Sequence, residues 1–231
     1  MRKTRFAPGN YYHIYNRGTN KQDVFLHRRD YLRSLFLITH MQAAAPLPHI
    51  TRLLHGIENL SDIQLEAEIK EKIVSSKIVE LVSFVLMTNH FHLLLYETEE
   101  QGISRYMQRV LNSYSKFFNT KYERSGHLFQ GPFGAVHVRT DEQLLYLTAY
   151  IHSNPISIKE YEESPHEYEW SSYTDFVSEN RWPELLKPGI VLEQFTDGKH
   201  YKRFVEETGA KKHHHFDFKT GQHQVLSIPI E

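Results

Sequence analysis

His90 and His92 flank Phe91 at the start of an apolar run that continues through Leu93, Leu94 and Leu95 to Tyr96. Alternation along a strand sends residues i and i+2 to one face, so both imidazoles project together while Phe91 faces the other way. Two neutral imidazoles side by side make half of a site for a first-row divalent metal. Further along, Tyr150 and Asn154 stand in a stretch of helical pattern, which places a phenol and a carboxamide one turn apart on one helix face. Two histidines, an amide oxygen and a tyrosine suffice for metal-assisted phosphodiester cleavage, provided that the fold brings them together. Spacing alone leaves other readings open. The imidazoles could be buried structural groups, each needing a hydrogen-bond partner, and Asn154 before Pro155 could simply mark a helix end. The chain has 16 histidines, so one pair at this spacing can arise by chance. His137 and His152 read as structural, and His213 to His215 as part of a solvated tail.

The elements that must position these groups follow from periodicity and turn chemistry. Tyr11 to Asn16 is aromatic and β-prone, and Arg17 to Asn20 ends it with turn residues. Apolar residues recur at helical spacing from about Asp23 to Met41, and the prolines of 43–48 stop them. A short acidic amphipathic helix is expected between about Leu60 and Ser75, within an insertion spanning about 43–76. Ile78 to Met87 and His90 to Tyr96 read as two strands joined at Thr88 and Asn89 by a tight turn. Ile103 to Tyr122 is the strongest helix, with Tyr106, Met107, Val110, Leu111, Tyr114 and Phe117 on one side. Gly134 to Arg139 is a fourth strand, and Thr140 or Asp141 can cap a helix that runs to about His152. The first six elements follow the split βαβ-βαβ order of an α+β ferredoxin-like sandwich, an antiparallel sheet with helices on one face. Residues 1–159 would form this unit. Residues 160–231 would be a C-terminal appendage packed on the core, loosely ordered beyond about Gly209.

At 231 residues the chain can bury a full core, and its 40 % hydrophobic and 24 % charged residues are ordinary for a globular protein. No run approaches the roughly 20 apolar residues of a membrane-spanning helix, and no apolar segment follows the basic start as in a secretory signal. A cytoplasmic protein without membrane contact is expected. The absence of cysteine excludes disulfides and thiolate metal sites. Net charge is only −1, but between Gln101 and Thr140 six basic residues (Arg105, Arg109, Lys116, Lys121, Arg124 and Arg139) face the single acid Glu123. Such a patch is either a solvated surface or a phosphate-contacting one.

Several separated motifs, in order, resemble one family. Asn89 to Leu95 and Tyr150 to Pro155 are similar to the single-tyrosine HUH transposases of the IS200 type, with the closest likeness to their REP-associated tyrosine branch. His13 to Gly18, Arg124 to Gly131 and Trp170 to Tyr173 also resemble recurring segments of that family. Pro132 and Gly134 stand where relatives often carry basic residues, and Thr88 where proline is frequent. The resemblance implies a ferredoxin-like HUH fold and a transposase that cleaves and rejoins single-stranded DNA through a 5′-phosphotyrosine. It implies Tyr150 as the nucleophile, and His90, His92 and Asn154 as ligands of Mg2+ or Mn2+. The partner would be hairpin-forming single-stranded DNA, bound by a monomer or a homodimer. Asn16, Arg17 and Lys21 in the N-terminal loop, and Arg105, Arg109, Lys116, Arg124 and Arg139, would contact the DNA. A domesticated hairpin-binding protein that no longer moves DNA is the alternative. A ferredoxin-like RNA-binding module is disfavoured, because no run of the RNP type is present.

Overall fold

The computed structural model describes residues 4–47, 53–54, 56–63 and 66–208, together with the backbone of His214–Asp217 and Gln222–Val225. Four strands, β1 (Tyr11–Arg17), β2 (Val79–Met87), β3 (His90–Glu97) and β4 (Gly134–Val138), form a sheet of order β2-β3-β1-β4 with every neighbouring pair antiparallel. With α1 (Arg28–His40) and α3 (Gly102–Lys121) as crossovers, this is the expected α+β sandwich. A further helix, α2 (Ala67–Ser75), lies in the insertion. That insertion is closed at its base, since Ala43 bridges Lys77 and Ala44 N–H donates to Ser76 O at 2.8 Å.

The two faces of the sheet carry different partners. Phe91 and Leu93 point toward α1 and α3, where they line a small apolar cavity with Ile38, Met107, Val110 and Tyr114. Tyr106 Oη donates to Ile38 O at 2.6 Å, tying the two helices together as their apolar stripes are buried. Helix α1 begins at Arg28 rather than at Asp23 as the spacing predicted. Val24 and Phe25 mimic helical periodicity, but their N–H groups both donate to Thr88 O. Asp30 then caps the helix by accepting from Leu26 N–H and His27 N–H, each at 3.0 Å. The same buried carboxylate receives Lys121 Nζ and Tyr122 Oη at 2.6 Å each, clipping the end of α3 to the start of α1.

The opposite face, bearing His90, His92 and Leu94, receives α4 (Asp141–His152). Thr140 Oγ1 caps this helix by accepting from Gln143 N–H at 3.2 Å. Behind it come α5 (Tyr173–Val177), α6 (Gly189–Leu192) and α7 (Gly198–Thr208). The stretch before α5 also covers the outer edge of β2. Leu86 N–H donates to Trp170 O at 2.9 Å and Ser172 N–H to Phe84 O at 3.0 Å, and Val85 bridges Ser171 antiparallel. A sheet edge left open invites pairing with other chains, and this one is occupied from within. The tail expected to be loosely ordered falls outside the described residues, apart from the backbone of β5 (His214–Asp217) and β6 (Gln222–Val225), which pair antiparallel. His213 is likewise outside them. Among the described residues no helix is long and apolar enough to cross a membrane.

Candidate active site

Register on the sheet sets the site. In the β1–β3 pairing Tyr15 lies opposite His92 and Arg17 opposite His90, so alternation puts His13, Tyr15 and Arg17 on the face of the two histidines. The His90 and His92 rings meet edge to face at 5.2 Å between centroids. Tyr150 comes down from α4 onto His92, ring to ring at 5.4 Å and nearly perpendicular. One turn later, where the chain leaves α4, Asn154 Oδ1 lies 3.5 Å from His90 Nε2. The nucleophile candidate and the three ligand candidates thus converge.

The hydrogen bonds around the ligand candidates decide how they present themselves. His90 Nδ1 lies 2.7 Å from Asn89 Oδ1, an oxygen that can only accept, so the proton sits on Nδ1 and Nε2 presents a lone pair. Asn154 Nδ2 donates to Tyr150 O at 2.8 Å, which turns its Oδ1 toward His90. Two acceptors therefore face each other at 3.5 Å. A cation suits such a pair, and a neutral N, N, O set suits a divalent ion that keeps further positions for phosphate oxygen and water. The chemistry of the donor set fits a divalent cation, although among the described residues no group of three or more His, Asp or Glu forms a ready-made cluster.

Tyr150 is buried, with 6 % of its surface exposed. Burial pushes its hydroxyl well above the ordinary phenol range, while a hydrogen bond with Asn154 and the charge of Arg17 pull it part of the way back. At neutral pH it is a protonated phenol with a guanidinium in electrostatic reach.

His13 and Tyr15 were not singled out in the sequence. His13 is 1 % exposed and its Nε2 lies 2.9 Å from His92 Nδ1. The Tyr15 ring lies 6.3 Å from that of His92 and covers Gly134. A β-carbon at 134 would stand 2.2 Å from the Tyr15 ring, so glycine is required there. Only the pairing of β1 between β3 and β4 reveals these neighbours.

The DNA-contact candidates divide. Arg17 belongs to the site. Lys21 is exposed in a left-handed turn (φ 61°) held over the hairpin by Asn89 Nδ2, which donates to Lys21 O at 3.1 Å. The loop 124–131 lies alongside, with Thr19 N–H donating to Leu128 O and Gln130 N–H to Arg17 O. Arg124 therefore stands near the same rim, although its guanidinium is engaged with Asn119 at 3.2 Å. Asn16 faces the other way and is buried, its amide donating to Gly131 O at 3.2 Å. Arg105, Arg109 and Lys116 ride on α3, on the sheet face away from Tyr150. Arg105 pairs with Glu99, Arg109 donates to Met41 O and Ala44 O, and Lys116 is exposed. Arg139 is exposed just beyond β4.

An antiparallel sandwich with a histidine pair on its central strand and a tyrosine and asparagine on the covering helix is the arrangement that the family resemblance implies. Residues 59–154, from within the insertion through β2 to Asn154, match the family model described as Transposase IS200 like. The family resemblance carried by the motifs is thus borne out. A solved structure of a REP-associated tyrosine transposase bound to a REP hairpin is similar in fold, with TM-score 0.50 and 12 % sequence identity over 80 % of this chain and 88 % of that one. No curated protein matches the chain.

Proposed function

We propose that this chain cuts single-stranded DNA and transfers the cut strand, with Tyr150 as the nucleophile. The observation that carries the reading is the convergence of Tyr150, His90, His92 and Asn154 on one sheet face beside Arg17. In the cleavage step Tyr150 Oη bonds to phosphorus as the P–O3′ bond breaks. The phenol gives up its proton and the departing 3′ oxygen takes one up, leaving a 5′-phosphotyrosine and a free 3′-hydroxyl. Attack by another strand's 3′-hydroxyl reverses the step, so no nucleotide cofactor is needed.

Each side chain has a definable part. Arg17 stabilises the phenolate as its proton leaves, which a buried tyrosine requires. Asn154 hydrogen-bonds Tyr150 and turns its oxygen toward His90, so nucleophile and ligand are set by one helix turn. A divalent ion held by His90, His92 and Asn154 would supply Lewis-acid polarisation of the scissile phosphate. All four groups come from one chain. The strand would be received by the rim of loops 17–22 and 124–131, where Lys21, His127 and Gln130 are exposed. Since the similar solved protein is bound to a REP hairpin, hairpin-forming DNA is the substrate to test first.

The test is covalent trapping. Purified protein with Mn2+ and a labelled strand carrying a hairpin should yield an adduct whose mass places a 5′-phosphorylated fragment on Tyr150. Tyr150→Phe should yield none. An adduct that persists in Tyr150→Phe, or wild-type protein that neither cuts nor links such strands, would overturn the proposal.

A further inference from the structure

His90 and His92 are oriented by different kinds of neighbour. Asn89 Oδ1 can only accept, so it fixes the His90 proton on Nδ1. His92 Nδ1 instead meets a second imidazole, His13 Nε2, at 2.9 Å, with both rings almost wholly excluded from solvent. A hydrogen bond between two neutral imidazoles needs one donor and one acceptor, and the two choices have opposite consequences. If His92 Nδ1–H donates, its Nε2 carries a lone pair and can ligate. If His13 Nε2–H donates, the proton of His92 sits on Nε2 and the ring cannot bind a cation through that atom.

We infer that His13 is the positioning residue of the His92 ligand: its Nε2 accepts from His92 Nδ1–H and so holds His92 in the tautomer that presents Nε2 to a divalent ion. This rests on the proposed metal site and adds to it a residue that the histidine pair does not contain. Two features support it. The β1–β3 register sets Tyr15 opposite His92 and His13 opposite Leu94, so His13 reaches His92 as a diagonal neighbour held by strand pairing on both sides of β1. The His13 ring also lies at 27° to the His92 ring with centroids 5.0 Å apart and 5.2 Å from Tyr15, so packing as well as hydrogen bonding fixes its angle. Metal-bound histidines generally donate their second ring N–H to such a partner, and loss of the partner weakens metal binding roughly 10- to 100-fold.

Two measurements test the assignment. Nitrogen-15 NMR of the metal-free, full-length wild type reads the tautomer of each histidine directly, and His92 should carry its proton on Nδ1. Calorimetric titration with Mn2+ should then show roughly 10- to 100-fold weaker binding for His13→Phe, which keeps a ring but no acceptor. His13→Gln, whose amide oxygen can accept, should recover much of the loss. A wild-type His92 protonated on Nε2 overturns the inference, as does His13→Phe protein that is folded by circular dichroism and binds Mn2+ as tightly as wild type. Wild-type protein that binds no Mn2+ overturns the metal reading itself, and the tautomer measurement still decides whether His13 orients His92.

Discussion

His152, two residues before Asn154, offers a sharp test of how the helix bearing Tyr150 is held. Its side chain is fully buried; Nδ1 lies 2.6 Å from Tyr201 Oη on α7 and Nε2 2.9 Å from Ser172 Oγ. Ser172 Oγ also accepts from Phe84 N–H on β2 at 2.8 Å. Burial pulls the His152 pKa down to about 3, so the ring is neutral at pH 7. A consistent assignment has Tyr201 O–H donating to Nδ1 and Nε2–H donating to Ser172. His152→Ala removes a packed ring, at about 2–3 kcal/mol, and leaves the buried Tyr201 hydroxyl without its acceptor, at about 1–3 kcal/mol. The expected loss is about 3–6 kcal/mol, or a fall in Tm of roughly 6–24 °C for a chain of this size. Trp170 and Trp182 sit in the segment concerned, so urea unfolding followed by tryptophan fluorescence reads it directly. In a cycle with Tyr201→Phe the two losses should be coupled by about 1–3 kcal/mol. A single loss below about 1 kcal/mol, or additivity within about 0.5 kcal/mol, would refute the network.

Four further outcomes are expected. Arg17→Met should slow single-turnover cleavage roughly 10²- to 10³-fold while weakening hairpin binding much less; an unchanged rate would remove Arg17 from the chemistry. Gly134→Ala, which forces the Tyr15 ring aside, should cost about 1–3 kcal/mol in urea unfolding, and equal stability would show that the ring can yield freely. Lys21→Glu should weaken binding of a hairpin strand and flatten its salt dependence, whereas Lys116→Glu on the far face should leave both near wild type; gel shifts at several salt concentrations would expose the reverse pattern. Burial lowers the His40 pKa from 6.5 to about 4, against a hydrogen bond with the Phe36 carbonyl that raises it. The unfolded chain then binds a proton that the folded one refuses, so this contribution is intact above about pH 6.5 and is lost toward pH 4, at roughly 1 kcal/mol per pH unit. The stability gap between wild type and His40→Gln, measured by urea unfolding, should narrow across that window, and a constant gap would contradict it.

Much of the site was legible because short periods determine it. The histidine pair follows from the two-residue repeat of a strand, and Tyr150 with Asn154 from one helical turn. Their meeting depends on which sheet face α4 covers, and only the family resemblance pointed to that. His13 and Tyr15 were hidden because nothing local encodes the register of β1 against β3. The placement of the basic patch was hidden in a related way. Periodicity tells which side of α3 is exposed, but not that its apolar side packs on the Phe91 face and so carries Arg105, Arg109 and Lys116 away from Tyr150. The apolar spacing of Val24 and Phe25 overran the true start of α1 for want of any sign that both N–H groups serve the Thr88 carbonyl.

The sealing of β2 by residues 170–172 and of α4 by Tyr201 has a consequence for the order of synthesis. Both histidines, Tyr150 and Asn154 leave the ribosome before Ser172 and Tyr201 do. Until those arrive, the outer edge of the sheet lacks its last hydrogen-bonding partner and His152 has nothing to close upon. A nascent or truncated chain therefore holds His90, His92, Tyr150 and Asn154 yet lacks the seat that fixes the helix bearing Tyr150, so on the proposed function competence to cut should be acquired only as the C-terminal helices dock.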